Sequence, residues 1–382
     1  HEQNFEQLRL ALRLAAEAYG DSGESMTPWE MSRQCGEAAV ARGVALGLPR
    51  LAAQFGPAVL DKAIADAALR AAELPWSRGV QAGVLGDPHS RGLRLLEPSQ
   101  VAVRHTVGLA DRLLDSDEGL DPEDGLPATL EAAIARYGLR HFKLKLAGRL
   151  DADLERLRRI AGLLDERAGD YRVTLDGNET FADAAALGAF WRSLRADAGL
   201  RGLMRRTLLL EQPLPRQIAL RTAIAGLDIA VPVILDESDD HDDSLDEGLA
   251  LGYRGISSKA CKGLYRSLRN AARVAREPGR LLLSGEDLTC QAGLAVQQDT
   301  VLAASLGVTH IERNGHHYVD GFGIAPAAEA EDFARAHPGF YDSSGARPRL
   351  AVRDGLLDLR SLHVAGFASA ASPIWDSLEP IT

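Results

Sequence analysis

Two lysines in a short apolar run pose the first chemical question. In "HFKLKLAG" (141–148), Phe142, Leu144 and Leu146 alternate with Lys143 and Lys145. Side chains two apart on a strand share a face, so the two ammonium groups stand together, opposite the apolar residues. Charged groups end the later apolar runs too. Asp176 and Asn178 close "YRVTLDGN", Glu211 closes "TLLLE", and Asp236 and Glu237 close "VPVILDES". Lys259 follows "GISS" with Lys262 just beyond, and Glu286 and Asp287 follow "RLLLSG". The last run, "THIERNG", carries Glu312, Arg313 and Asn314, with His316, His317 and Tyr318 after it. The intervals are 31 residues from Lys145 to Asp176, then 35, 25, 23 and 27 to Glu211, Asp236, Lys259 and Glu286. Each is about one strand-plus-helix unit. A lone Asp after a strand is an ordinary turn or helix cap, and Glu286 and Asp287 suit a cap as well. Six successive strand ends with charges point instead to one shared site. Carboxylates crowded together repel unless a cation sits among them. An oxygen donor set without Cys or His favours Mg²⁺, with Mn²⁺ as a substitute.

The elements that must position these groups are legible from periodicity. Eight apolar runs, at 101–107, 142–148, 171–178, 207–213, 231–238, 255–261, 280–286 and 309–315, alternate with helical patterns. That rhythm predicts βαβ units and a parallel sheet. Eight strands fit a closed TIM-type barrel, whose active site lies at the C-terminal strand ends. An open doubly wound sheet would call for a Gly-rich first turn, and no GxGxxG occurs. Before the barrel, "NFEQLRLALRLAAEAY", "CGEAAVARGVAL" and "AVLDKAIADAALRAAEL" suit amphipathic helices, and "GDSGESMTPWE" reads as a loop. After residue 325, "RLAVRDGLLDLRSLHV" reads as two strands joined at Asp354-Gly355 that return to the N-terminal region. The expected division is a capping region at 1–100, the barrel at 101–325 and a C-terminal return at 326–382. The chain begins at His1 rather than Met, so the capping region is expected to be incomplete.

Composition narrows the function. The net charge of −11 argues against nucleic-acid binding. No apolar run reaches the roughly 20 residues of a membrane span, and no secretory signal is recognisable. Three cysteines without metal-like spacing read as thiols in a reducing compartment, hence a cytoplasmic protein.

The set "KLK", "LDGNE", "LLEQP", "VILDES" and "SSKACKG" resembles the enolase superfamily, in its muconate-cycloisomerase-like branch. The resemblance spans most of residues 70–325, with "LAVRDGLLDL" similar to the C-terminal return. It implies a modified (β/α)7β barrel beside an α+β capping domain built from the N-terminal region and the C-terminal tail. It implies Mg²⁺ held by Asp176, Glu211 and Asp236, acid/base lysines at Lys145 and Lys259, and a homo-oligomer. Lys259 stands where the mandelate-racemase branch proper uses a His–Asp pair. Gly263 is followed by Leu264 where Gly-Gly is usual. The implied chemistry is removal of a proton α to a carboxylate, through an enediolate. Lys143 is expected to lower the pKa of Lys145 and help hold the substrate carboxylate. Asn178 and Glu237 are expected to orient the metal ligands or Lys259. Glu286, His316 and Tyr318 are expected at the distal part of the substrate. Racemisation or epimerisation of a small carboxylic acid uses both lysines symmetrically and is the first reading. Cycloisomerisation and dehydration use the same groups. A Schiff-base aldolase with Lys145 or Lys259 as nucleophile, or a non-catalytic acid- or metal-binding barrel, are the readings from other classes.

Overall fold

The computed structural model describes residues 2–21, 25–120 and 124–380. Residues 22–24 of the expected first loop lie outside the described residues. The N-terminal region is helical: α1 (Glu2–Gly20), α2 (Pro28–Met31), a π-helical turn (Ser32–Gly36), α3 (Glu37–Ala45), α4 (Arg50–Ala53), α5 (Phe55–Ala71) and α6 (Trp76–Gln81). Thr27 starts α2 with a reciprocal cap: its Oγ1 accepts from Glu30 N (3.2 Å), and Glu30 accepts from Thr27 N (2.8 Å). Residues described before Gln100 form no strand, so the cap expected as α+β is helical on this side.

Eight parallel strands follow. They are β1 (Gln100–Val107), β2 (His141–Lys145), β3 (Arg172–Asp176), β4 (Thr207–Glu211), β5 (Val233–Ile234), β6 (Gly255–Ser258), β7 (Leu282–Gly285) and β8 (His310–Glu312). Their order is β5-β4-β3-β2-β1-β8-β7-β6, and a bridge between Leu235 and Ile256 joins the two ends. The result is a near-closed barrel with helices outside it. All eight expected runs contain a strand. The helix Leu130–Tyr137, called α7, shows how the sequence sets the boundaries. Thr129 Oγ1 accepts from Ala132 N at its start (3.0 Å), and Gly138 ends it in the left-handed region at φ 63°.

The C-terminal segment adds β9 (Tyr341–Asp342), β10 (Arg349–Leu350) and β11 (Leu356–Asp358). Asp354 (φ 51°) and Gly355 (φ 73°) make the turn expected there, the doubly positive pattern of a tight hairpin. β11 pairs antiparallel with β1 at the bottom of the barrel, Gln100 opposite Asp358. The tail then reaches the N-terminal helices. Phe367 stacks on Trp76 at 4.2 Å, and Arg70 donates to Ser369 O (2.6 Å). The helices also clasp the upper rim of the barrel. Gln54 Nε2 donates to Asp240 O (2.7 Å), and Arg266 Nη1 donates to Gln54 Oε1 and Asp239 O (both 2.8 Å).

Candidate active site

Strand register brings the charges together. Lys145 lies opposite Asp176, Asp176 opposite Glu211, and Glu211 opposite Ile234, two residues before Asp236. Period-two alternation turns Phe142 and Leu144, fully buried, to the outer side. Lys143 and Lys145 then face inward on one side of β2.

The two lysines have different surroundings. Lys143 is 2% exposed, and its Nζ lies 2.9 Å from Asp176 Oδ2, 2.9 Å from Glu211 Oε2, 2.7 Å from Glu286 Oε2 and 3.3 Å from Glu312 Oε2. Burial works to lower its pKa, but the four carboxylates outweigh burial and hold it well above the usual lysine value. Protein carboxylates thus already surround the ammonium expected to help hold a substrate carboxylate. Lys145 is 24% exposed and bonds Asp176 Oδ2 (2.7 Å), the oxygen that Lys143 also meets. Across the barrel, Lys259 is 16% exposed and bonds Asp236 Oδ2 (2.7 Å). Burial favours its neutral form, but Asp236 prevails and raises its pKa well above the usual value. That is opposite to the depression a lysine base requires.

The other expected residues divide. Asn178 Nδ2 donates to Glu237 Oε1 (3.2 Å), so these two meet beside the carboxylates, and Asn178 N donates to Asp176 Oδ1 (2.9 Å). Glu286 is not at a substrate surface. It is fully buried, bonded to Arg104 and Lys143 and accepting from Ser284 Oγ. His316 also lies off the rim. It packs on His105, ring centroids 5.4 Å apart, while the flanking Arg104 and Thr106 point inward to Glu286 and Glu312. Tyr318 is half-exposed and close to His317 (4.8 Å).

Four participants have no role assigned from the sequence, although Glu312 and Lys262 stand among its strand-end charges. Arg104 is a charge inside the apolar run "VAVRHTV", which was a usable signal. Glu312 accepts from Thr106 Oγ1 and Asp287 N as well as pairing with Lys143. Lys262 Nζ lies 2.9 Å from Asp236 Oδ1 and bonds Asp236 O (2.7 Å) and Ser257 Oγ (2.8 Å). Gln212, fully buried, accepts at Oε1 from Asp236 N (2.8 Å) and Ser238 N (3.1 Å). It thereby ties the end of β4 to that of β5. Gly177 permits the neighbouring approach, since a Cβ there would meet Pro213 Cα at 2.6 Å.

Among the described residues, no three Asp, Glu, His or Cys side chains converge closely enough to form a ready metal cage. The donor chemistry nevertheless suits a hard cation. Glu211 Oε2 is buried and has no partner but the Lys143 ammonium, 2.9 Å away. Burial, then Asp176 and Glu286, push the Glu211 carboxyl well above the usual range despite Lys143. Asp236 is driven the other way: Lys259 and Lys262 overcome burial and hold it well below. The rim is thus a dense, buried lysine–carboxylate cluster with two partly accessible lysines, consistent with proton transfer at a carbon acid.

No family model and no curated protein matches the chain. Solved structures do. A mandelate racemase/muconate lactonizing protein from Herpetosiphon aurantiacus aligns with TM-score 0.55 and 20% identity, over 90% of this chain and 79% of that one. A muconate lactonizing enzyme from Klebsiella pneumoniae gives 0.54 and 19%, over 89% and 84%. An enolase from Bradyrhizobium, complexed with magnesium and mandelic acid, gives 0.58 and 18%, over 96% and 81%. At these identities the likeness speaks for architecture: the chain has the fold of enolase-superfamily structures of the mandelate racemase/muconate lactonizing kind.

Proposed function

We propose that the protein is an enolase-superfamily enzyme that removes the proton α to a carboxylate of a small acid, acting as a racemase or epimerase. One observation carries this reading. Lys145 ends β2 and Lys259 follows β6, and these strands are four apart in either direction around the barrel. Two partly accessible ammonium groups therefore face one another across the rim, each bonded to a buried carboxylate. A substrate held between them can lose a proton to one lysine and gain one from the other, on its opposite face. Lys143 keeps the carboxylates in place from beneath. Asn178 and Glu237 steady Asp176 and the space beside Lys259.

Asp176, Glu211 and Asp236 would hold Mg²⁺, supported by their all-oxygen chemistry and by Glu211 Oε2, whose only partner is the Lys143 ammonium. When bound, the ion would supply charge stabilisation at the substrate carboxylate and compete with Lys259 for Asp236. A reducing, cytoplasmic setting agrees with Cys261 and Cys290 remaining thiols. Among the described residues, no helix is long and apolar enough to cross a membrane.

The test is α-proton exchange. A panel of small carboxylic acids is incubated in D₂O with protein and Mg²⁺, and deuterium at Cα is read by NMR. Both stereochemical faces should exchange. Lys145→Ala and Lys259→Ala should each abolish exchange from one face, by about 10²-fold or more. Exchange from one face only in the unaltered protein would favour cycloisomerisation or dehydration. Two-faced exchange in both variants would remove the lysines from the mechanism.

A further inference from the structure

A second polar cavity, of about 330 Å³, lies outside the barrel between α7, the short helix Gly315–Tyr318 and the C-terminal segment 342–353. Its position follows from β1. Arg104 and Thr106 point into the barrel, so His105 points out, and His316 packs against His105 with its ring tilted and lines the cavity. Burial, with His317 beside it, holds His316 down to about 3, so its imidazole is neutral here.

Four arginines line this cavity: Arg136, Arg347, Arg349 and Arg353. The whole chain carries 43 basic against 54 acidic residues, so the local balance is reversed. Two carboxylates stand nearby. Asp320 pairs with Arg349 Nε (2.6 Å), and Asp342 lines the cavity, accepting from Ser344 N (3.0 Å). Arg136 and Arg349 also donate to the backbone oxygens of Gly125 (2.5 Å) and Asp124 (3.2 Å), which fixes their position. Arg347 has a long contact to Gly323 O (3.5 Å). Arg353 is exposed, and among the described residues its side chain has no ion pair or hydrogen bond. Guanidinium groups brought to one cavity by a helix and by a separate C-terminal segment suit an oxyanion with acceptors on several sides. A tetrahedral phosphate group offers these, whereas a planar carboxylate is satisfied by one fork.

We propose that this cavity is a binding site for a small phosphate-bearing anion, separate from the lysine–carboxylate rim. The proposal does not depend on the reaction assigned to the rim. Calorimetry on the full chain at mildly acidic pH, where both anions are mainly dianions, with inorganic pyrophosphate as the probe and malonate as the phosphorus-free control, tests it. Saturable binding of pyrophosphate, at least about tenfold tighter than malonate, is expected. Arg353→Ala and Arg136→Ala alter exposed side chains and should each weaken binding about tenfold or more. Lys145→Ala should leave it unchanged. No saturable binding, equal binding of malonate, full affinity in both arginine variants, or loss only in Lys145→Ala would each overturn the proposal.

Discussion

Lys143 and Lys145 are two residues apart, yet they carry different loads. Lys143 is the counter-ion of four buried carboxylates contributed by β3, β4, β8 and the residue after β7. Replacing it with the apolar Met leaves those carboxylates crowded and short of one cation. A broken buried pair of this kind costs about 3–5 kcal/mol. Lys145 meets one carboxylate and keeps some solvent, so Lys145→Met should cost about 1 kcal/mol or less. Urea denaturation of the two variants measures the contrast, and equal stabilities would refute it. The pair Lys-x-Lys and its shared face were legible in the sequence, because strand alternation is local. The fate of each ammonium was not. It depends on which residues of β7 and β8 reach the same level inside the barrel, which strand register sets across distances of more than a hundred residues. Glu286 illustrates the gap: a charge after an apolar run looked available to substrate, but Arg104 from β1 reaches it first.

At the scale of the elements, periodicity located all eight strands but overstated the length of every one after β1. The run 231–238 yields a ladder of only two residues, Val233 and Ile234. Pro232 has no N–H to donate, and the N–H groups of Asp236 and Ser238 go to the Gln212 side chain rather than to a strand. Gln212 itself sits at φ 32°, a strained value for a non-glycine residue, and is held there by four hydrogen bonds of its side chain. Such a bond from a side chain to another strand end leaves no periodic trace in a sequence. Gln212→Ala removes the acceptor of two buried N–H groups. The expected loss is about 2–4 kcal/mol in urea denaturation, with Mg²⁺ affinity at the proposed site weakened about 10–100-fold in calorimetry. A loss below about 1 kcal/mol with unchanged affinity would show that the two strand ends are positioned by something else.

The whole molecule depends on how the N-terminal helices hold together over the rim, and Asp61 is a pH-sensitive joint in that assembly. It lies on α5, buried, where it accepts from Tyr19 Oη of α1 (2.6 Å) and Ser32 Oγ of the π-helical turn (2.7 Å). Among the described residues no cation pairs with it. Burial raises its pKa from 3.8 to about 6, and the two hydroxyl donors only partly offset this. The sign follows from linkage. The folded state binds the proton more tightly than the unfolded chain, so the stabilisation is complete below about pH 4 and is lost as pH rises through about 6. Asp61→Asn keeps a group that hydrogen-bonds both hydroxyls but cannot ionise. Its stability relative to the unaltered protein should therefore rise between pH 4 and pH 7, by about 2–3 kcal/mol. Urea denaturation of both proteins across that range reads the difference directly. A constant difference would mean that Asp61 titrates alike in the folded and unfolded chain. A difference that grows in the other direction would mean that it is held ionised by a cation. The expected slope would establish that the helices over the rim are bound more tightly at mildly acidic pH, a property set by one buried carboxyl where three helical elements meet.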